Sequence, residues 1–331
     1  MTTQQQVLHI LETHRGMFIS GEHIAQQLRL SRAAVWRAIE ELRHRGYEIT
    51  SSTKVGYCLA ASSDILSAAG VSSVLSPDIP VDIHYYDQID STNREAKRLA
   101  TEGAAHGTIV IAGEQTSGRG RLGRSFFSPG DSGLYLSMII RRDVASTLAL
   151  RITSAVAVGV CQAIERFSER KAAIKWVNDI YMDGKKVCGI LTEGISGFES
   201  GKIESVVVGI GVNCTVPVGG FPPEIASIAS AVFPQTVPAG FSRNHLCAAI
   251  IEEVLGMIEN IEEPDVMQCY RDRSIVLGRR VQIIQGDRSH KGEVLEISDD
   301  GSLMVRTDDG VVEKLNSGEI TLRPVFLHRR G

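Results

Sequence analysis

Across residues 6–59 the apolar positions fall first at helical and then at strand spacing. Helical spacing over 6–13 and again after Ser20-Gly21 predicts two short helices. From Ser31, a good N-cap, Val35, Ala38, Ile39 and Leu42 stand at i, i+3, i+4 and i+7 and predict a third, its other face carrying Arg32, Trp36, Arg37 and Arg43. After Gly46, strands over 47–50 and 57–59 flank a polar tip at Lys54-Val55-Gly56. Helices followed by such a hairpin make a winged helix-turn-helix pattern.

Residues 62–80, rich in Ser and Ala and ending at Pro77 and Pro80, predict a helical linker. From 81 to 270, helical segments (93–102, 149–167, 244–260) mix with apolar runs read as strands (108–112, 134–140, 173–177, 186–192, 205–212). That mixture predicts an α+β domain on a mixed sheet. Beyond 276, short β-rich runs are separated by Gly286-Asp287, Asp300-Gly301 and Asp309-Gly310, pairs suited to tight hairpins, so a small barrel of about five strands is expected. The fold class is therefore α+β multidomain: an N-terminal winged helix-turn-helix (1–62), a linker (63–80), a central mixed-sheet domain (81–272) and a C-terminal SH3-like β-barrel (273–326).

At 331 residues, 43% hydrophobic and 22% charged, the chain suits several globular cores and not a disordered or fibrous protein. The first twenty residues hold Gln, Glu and Arg where a signal peptide needs an apolar core, and the longest apolar stretch, 148–164, is interrupted by Arg151. A cytoplasmic protein with no membrane segment is expected. The six cysteines form no CxxC pair and keep no metal-ligand spacing to His, so neither a disulfide framework nor a metal site is expected. Net charge is −4, which leaves any nucleic-acid contact to a local patch. Residues 1–62 offer one, with seven basic residues against five acidic.

The densest chemical signal is Gly118-Arg119-Gly120-Arg121-Leu122-Gly123-Arg124. Its glycines match the dinucleotide fingerprint GxGxxG, but no helix opens after it; Ser125-Phe126-Phe127-Ser128-Pro129-Gly130 is a turn leading to a strand. Three guanidiniums on a glycine-rich backbone suit the wrapping of phosphate oxygens, and such a loop, anchored by nothing apolar except Leu122, should be mobile when empty. A solvated basic loop is the blander alternative. In the second constellation, Lys175-Trp176-Val177-Asn178-Asp179 precedes a hairpin turning at Asp183-Gly184 and continuing through Lys185 and Lys186. Strand alternation puts these two lysines on opposite faces without choosing which one meets an anion. Asp90-Ser91-Thr92-Asn93 reads as an N-cap cluster or as a small polar ligand site at a helix start. Gly209 and Gly211 in an apolar strand allow close approach to the backbone, or simple packing.

In this order the motifs resemble the bifunctional biotin protein ligases that double as biotin operon repressors. The resemblance runs from Ser20-Gly21-Glu22 and Ser31-Arg32-Ala33-Ala34-Val35-Trp36 to Gly318-Glu319-Ile320-Thr321-Leu322-Arg323. It implies that Ser91, Thr92, Asn93, Gln115, Arg119, Gly120, Arg121 and Lys186 hold biotin. The nucleotide would meet Arg121, Arg124, Phe126, Asn178, Lys186, Asn213 and Arg323. Lys186, Arg119 and Arg121 would be catalytic, with Asp179 as base toward the acceptor lysine. Gly21, Ser31, Arg32, Ala33, Trp36, Arg37 and Lys54 would meet operator DNA in a homodimer. Biotin, ATP and Mg2+ are the implied small molecules and a biotin carboxyl carrier protein the implied acceptor. The family commonly has Trp where this chain has Phe126 and Pro where it has Val177. A ligand sensor that no longer turns over, and a lipoate or other acyl ligase, are the competing readings.

Overall fold

The computed structural model describes residues 2–141, 149–196, 203–238, 240–285 and 288–322. In the head, α1 (Thr3–Thr13), α2 (Gly21–Leu28) and α3 (Arg32–His44) close on a core that includes Val7, Leu11, Ile24, Ile39 and Leu42. Ser20 and Ser31 cap α2 and α3 as expected, each hydroxyl accepting from the N–H three residues on, at 3.0 and 3.2 Å. β1 (Ile49–Ser52) and β2 (Gly56–Leu59) form the wing, and Ile19 bridges to Tyr57 beside them. Ser31, Arg32, Ala33, Trp36 and Arg37 are exposed on α3 and Lys54 is exposed at the wing tip. Arg43 departs from the expected face. It is half-buried, donating to Ile49 O at 2.8 Å and to Glu40 at 2.6 Å, and so pins α3 to the wing. Gly21 is a packing position as well, since a Cβ there would lie 3.0 Å from the Tyr57 ring.

The stretch expected as a linker is firmly packed. It contains α4 (Ala68–Val74), whose Ala69 belongs to the core of the head while Val71 belongs to the central one. Then follow β3 (Asp82–Ile89), α5 (Thr92–Thr101), β4 (Thr108–Gln115), β5 (Gly133–Ile140), α6 (Ala149–Glu165), β6 (Ala173–Lys175), β7 (Asp179–Met182), β8 (Lys185–Ser196), β9 (Ile203–Asn213), α7 (Pro223–Ala226), α8 (Arg243–Glu259) and α9 (Pro264–Arg273). The start of α8 clamps the linker. Arg243, buried, pairs with Asp64 at 2.9 Å, and Asn244 accepts from Ser67 N at 3.1 Å and donates to Ile65 O at 3.0 Å.

Seven strands form one sheet in the order β3-β4-β5-β9-β8-β7-β6. β3 and β4 run parallel and the other neighbours antiparallel, so the expected mixed sheet is observed. Strand alternation divides its side chains. Ile109, Ile111, Val206, Val208 and Ile210 join α6 and α8 in the large core, while Val110, Ile139 and Val207 face Ala96 and Ala100 of α5. The α5 face continues past the helix over Gly189, Gly209 and Gly211, which line a cleft instead of a core.

The C-terminal strands are β10 (Arg280–Gln285), β11 (Arg288–Ile297), β12 (Leu303–Thr307), β13 (Val312–Leu315) and β14 (Glu319–Leu322). They pair antiparallel in the order β13-β12-β11-β10-β14. The expected closed barrel is not formed among the described residues: β13 and β14 are the two edges, with no ladder between them. Both strands are only four residues long and each spends its pairing on the neighbour it already has. The sheet is nonetheless curled. Flat, its edges would lie four strand spacings apart, roughly 19 Å, whereas the chain from Leu315 to Glu319 reaches at most about 14 Å. Trp176 docks this sheet on the central domain by donating to Gly301 O at 3.0 Å. Gly301 and Gly310, in the turn pairs read from the sequence, have φ of 84° and 86°; the pair at 286–287 and Arg323 lie outside the described residues. Among those residues no helix is long and apolar enough to cross a membrane.

Candidate active site

A cleft opens over the uncovered floor, walled by α5, the arginine-glycine loop, residues of β6 to β9 and Gly318, Glu319 and Ile320 at the C-terminal sheet. One end is a neutral hydrogen-bonded set. Gln115 Oε1 accepts from Thr92 N at 2.9 Å and from Thr92 Oγ1 at 3.1 Å, while its Nε2 donates to Ser128 Oγ at 2.9 Å. Ser137, buried in β5, donates to Asn93 Oδ1 at 2.6 Å. Asn93 Nδ2 donates to Glu193 at 3.0 Å and lies 3.3 Å from Leu191 O. Ser91 precedes α5 without capping it through its hydroxyl, which separates it from the plain N-cap reading. Gly209 is required here, for a Cβ would stand 2.0 Å from Asn93 Oδ1.

The other end is cationic. Lys186 Nζ lies 2.7 Å from Asp179 Oδ1. Arg121 donates to Asn178 Oδ1 at 3.0 Å and reaches Gly318 O at 3.5 Å, and its burial holds the guanidinium below its ordinary range. Arg124 makes two bonds to Glu319, at 2.6 and 2.5 Å. Arg119 is 4.0 Å from Glu193, which also takes Lys97 at 2.6 Å. Burial works against the Glu193 charge, but the bonds from Lys97 and Asn93 win and hold its carboxyl below the usual range. Phe126 lies on the floor, and a Cβ on Gly211 would be 2.5 Å from its ring.

The choice between the two hairpin lysines is settled in position. Lys185 is exposed and Lys186 lines the cleft. A register shift in the β7–β8 ladder pairs Ile180 with Cys188 and Tyr181 with Lys186, so the bulge breaks the alternation that sequence spacing assumes. The arginine loop takes a defined shape. It is a short hairpin, Gly120 N donating to Arg124 O at 2.7 Å and Phe126 N to Gly118 O at 2.9 Å, and its ends are tied by the arginine partners above. Leu122 is no anchor, being 74% exposed at the tip. The Trp176–Val177 peptide is cis.

Of the residues expected in the site, Ser91, Thr92, Asn93, Gln115, Arg119, Gly120, Arg121, Arg124, Phe126, Asn178, Asp179 and Lys186 all line this cleft. Asn213 does not; it donates to Ser230 O at 3.0 Å, bracing the segment whose Ile228 O accepts from Lys186 N at 2.8 Å. Glu193, Ser137 and Lys175 were missed. A lone serine inside the apolar run of β5 was the available signal for Ser137, because a buried hydroxyl needs a partner.

A neutral pocket joined to several arginines and a lysine, in a chain that also carries a winged head, has counterparts among known proteins. The biotin/lipoate A/B protein ligase family matches residues 85–213, an HTH domain matches 3–58 and the biotin protein ligase C terminal domain matches 276–323. The biotin protein ligase from Aquifex aeolicus in complex with biotin and ATP superposes with a TM-score of 0.61 at 27% identity, over 73% of this chain and 98% of that one. The bifunctional ligase/repressor BirA of Bacillus subtilis is 31% identical over 97% of this chain and 99% of its own length. That of Escherichia coli is 29% identical over 93% and 94%. The chain belongs to the bifunctional biotin ligase/repressor family.

Proposed function

We propose that this protein condenses biotin with ATP to biotinyl-5′-adenylate, transfers the biotinyl group to a lysine of a biotin carboxyl carrier protein, and represses transcription through its head when the adenylate is bound. The observation that carries the reading is that Lys186, Arg119, Arg121 and Arg124 line the same cleft as the neutral, hydrogen-bonding Ser91, Thr92, Asn93 and Gln115. Biotin's ring system would lie on Ser91, Thr92, Asn93 and Gln115, its carboxylate passing Arg119 and Gly120 toward Lys186. Lys186 and Arg121 would stabilise charge on the α-phosphate as the acid attacks. Phe126, Asn178 and Arg124 would contact the nucleotide, together with Arg323.

Asp179 holds Lys186 by their ion pair. Once phosphate claims the lysine, the carboxylate is released to take a proton from the acceptor amine, which is mostly protonated near neutrality. Magnesium would enter with ATP, shielding the phosphates next to Asp179 and Glu319, the carboxylates that line the cationic end. Among the described residues no cluster of three or more ligating side chains offers a metal cage of its own.

For repression, Ser31, Arg32, Ala33, Trp36 and Arg37 would enter the major groove and Lys54 would meet the backbone, with two copies reading two half-sites. The working division remains head 1–62, linker 63–80, ligase domain 81–272 and tail 273–326, the tail read as SH3-like from its strand number and curl. A cytoplasmic location agrees with the free cysteines. Incubation with biotin, ATP and a carrier domain, followed by mass spectrometry of the acceptor lysine, tests the enzymatic half. Biotin should appear there, and lipoate supplied instead should not. Equal operator binding with and without biotin plus ATP would refute the coupling.

A further inference from the structure

Five cationic side chains line the cleft: Arg119, Arg121, Arg124, Lys175 and Lys186. Four of them rest on oxygens of the protein, those of Glu193, Asn178, Glu319 and Asp179. Lys175, among the described residues, has no ion pair or side-chain hydrogen bond. Its cross-strand partner Asp179 gives its carboxylate to Lys186, and its ammonium stands 5.8 Å from the centre of the Tyr181 ring. Burial lowers its pKa. The carboxylates of Asp179 and Glu319 attract this charge, but burial outweighs them; a half-buried ammonium with no direct partner costs stability, and an incoming anion would satisfy it.

Position says which anion. Across the sheet the neutral end lies over β4, β5 and β9, Lys186 is on β8, and Lys175 is two strands farther, on the edge strand β6. Two spacings are about 10 Å, the reach of a phosphate chain. The acid enters from the neutral end, and an in-line displacement sends the leaving group out on the opposite side, toward β7 and β6.

We infer that Lys175 binds the β- and γ-phosphates of ATP and receives the departing pyrophosphate. This rests on the ligase reading above. A carboxylate oxygen of biotin bonds to the α-phosphorus, the bond from that phosphorus to the bridging oxygen breaks, and the electron pair leaves on pyrophosphate beside the Lys175 ammonium. Lys175 thereby becomes the exit-side counterpart of Lys186.

The test compares full-length wild type, Lys175→Met and Lys175→Arg in biotin-dependent pyrophosphate release, and in transfer to a carrier domain from biotinyl-adenylate that is supplied ready-made. Lys175→Met should lose roughly tenfold or more in kcat/KM for ATP. Inhibition by added pyrophosphate should weaken in parallel, and transfer from supplied adenylate should proceed at the wild-type rate. Lys175→Arg should recover most of the loss. The ligand-free Lys175→Met protein should melt no lower than wild type, because burial of this charge outweighs the attraction of Asp179 and Glu319; this separates a lost contact from a lost fold. Unchanged kcat/KM for ATP in Lys175→Met overturns the inference, as does a transfer step that slows as much as activation, which would put Lys175 at the acceptor. If wild type itself releases no pyrophosphate with biotin, the ligase reading fails instead.

Discussion

The cations of the cleft and those of the head wait for their partners in different states. In the cleft, Lys186 leans on Asp179, Arg124 on Glu319 and Arg121 on Asn178, all across short distances. On α3, Arg37 is exposed and, among the described residues, pairs with no carboxylate; the same holds for Lys54 at the wing, and Arg32 stands 3.6 Å from Glu22 with both side chains largely exposed. A ligand in the cleft must exchange one oxygen for another, so its binding rearranges the protein. A phosphate backbone meeting the head displaces water and counter-ions, so its binding is felt mainly through salt. Two sites built from the same residue types should therefore respond to different variables.

The sharpest break between them is Lys186→Ala. It should lower adenylate formation by about 100-fold or more while leaving operator affinity of the ligand-free protein unchanged; near-normal pyrophosphate release would remove Lys186 from the chemistry. Arg37→Ala should do the reverse, weakening operator binding roughly tenfold and reducing the slope of log affinity against log salt by about one. Titration of a labelled operator across salt concentrations reads both, and an unchanged slope would mean that Arg37 contacts no phosphate.

A milder sharpening comes from pH. With the Lys175 charge disfavoured by burial, kcat/KM for ATP, which reports the free enzyme, should decline on the alkaline side below the ordinary lysine range, and Lys175→Arg should move that decline upward. The smallest effect is expected at Glu193→Gln, which frees Arg119 and Lys97 and should change the KM for biotin by roughly threefold. The folded pKa of Glu193 is depressed. Its contribution to stability is therefore complete above the unfolded value and lost as pH falls through the folded one, so the glutamine variant should show a flatter acid limb in melting temperature.

The sequence carried the head almost whole, because capping serines and a helical stripe are local signals. It carried the central strands through their continuous apolar runs. β3 escaped because it is half-exposed along most of its length and shows neither a run nor a clean alternation. α9 escaped because its buried Val266, Met267 and Tyr270 are too few to mark a face. In the site, residues with distinctive chemistry in compact motifs were legible, and those defined by a distant partner were not. Glu193 matters because Lys97, Asn93 and Arg119 converge on it from other elements. The bulge beside Lys186 is a feature of pairing, and Arg43 reads as one more residue of the polar face of α3 until the wing carbonyl of Ile49 is placed beside it.

Glu319 and Ile320 belong to β14, Gly318 directly precedes it, and yet all three wall the cleft. Translation delivers them some two hundred positions after the arginines they meet, Arg121 and Gly318 being 197 apart. The head thus has all its parts long before the catalytic chamber has its final wall. A ribosome stalled late, or a protease trimming the tail, would leave a repressor-shaped stub with an unfinished enzyme behind it.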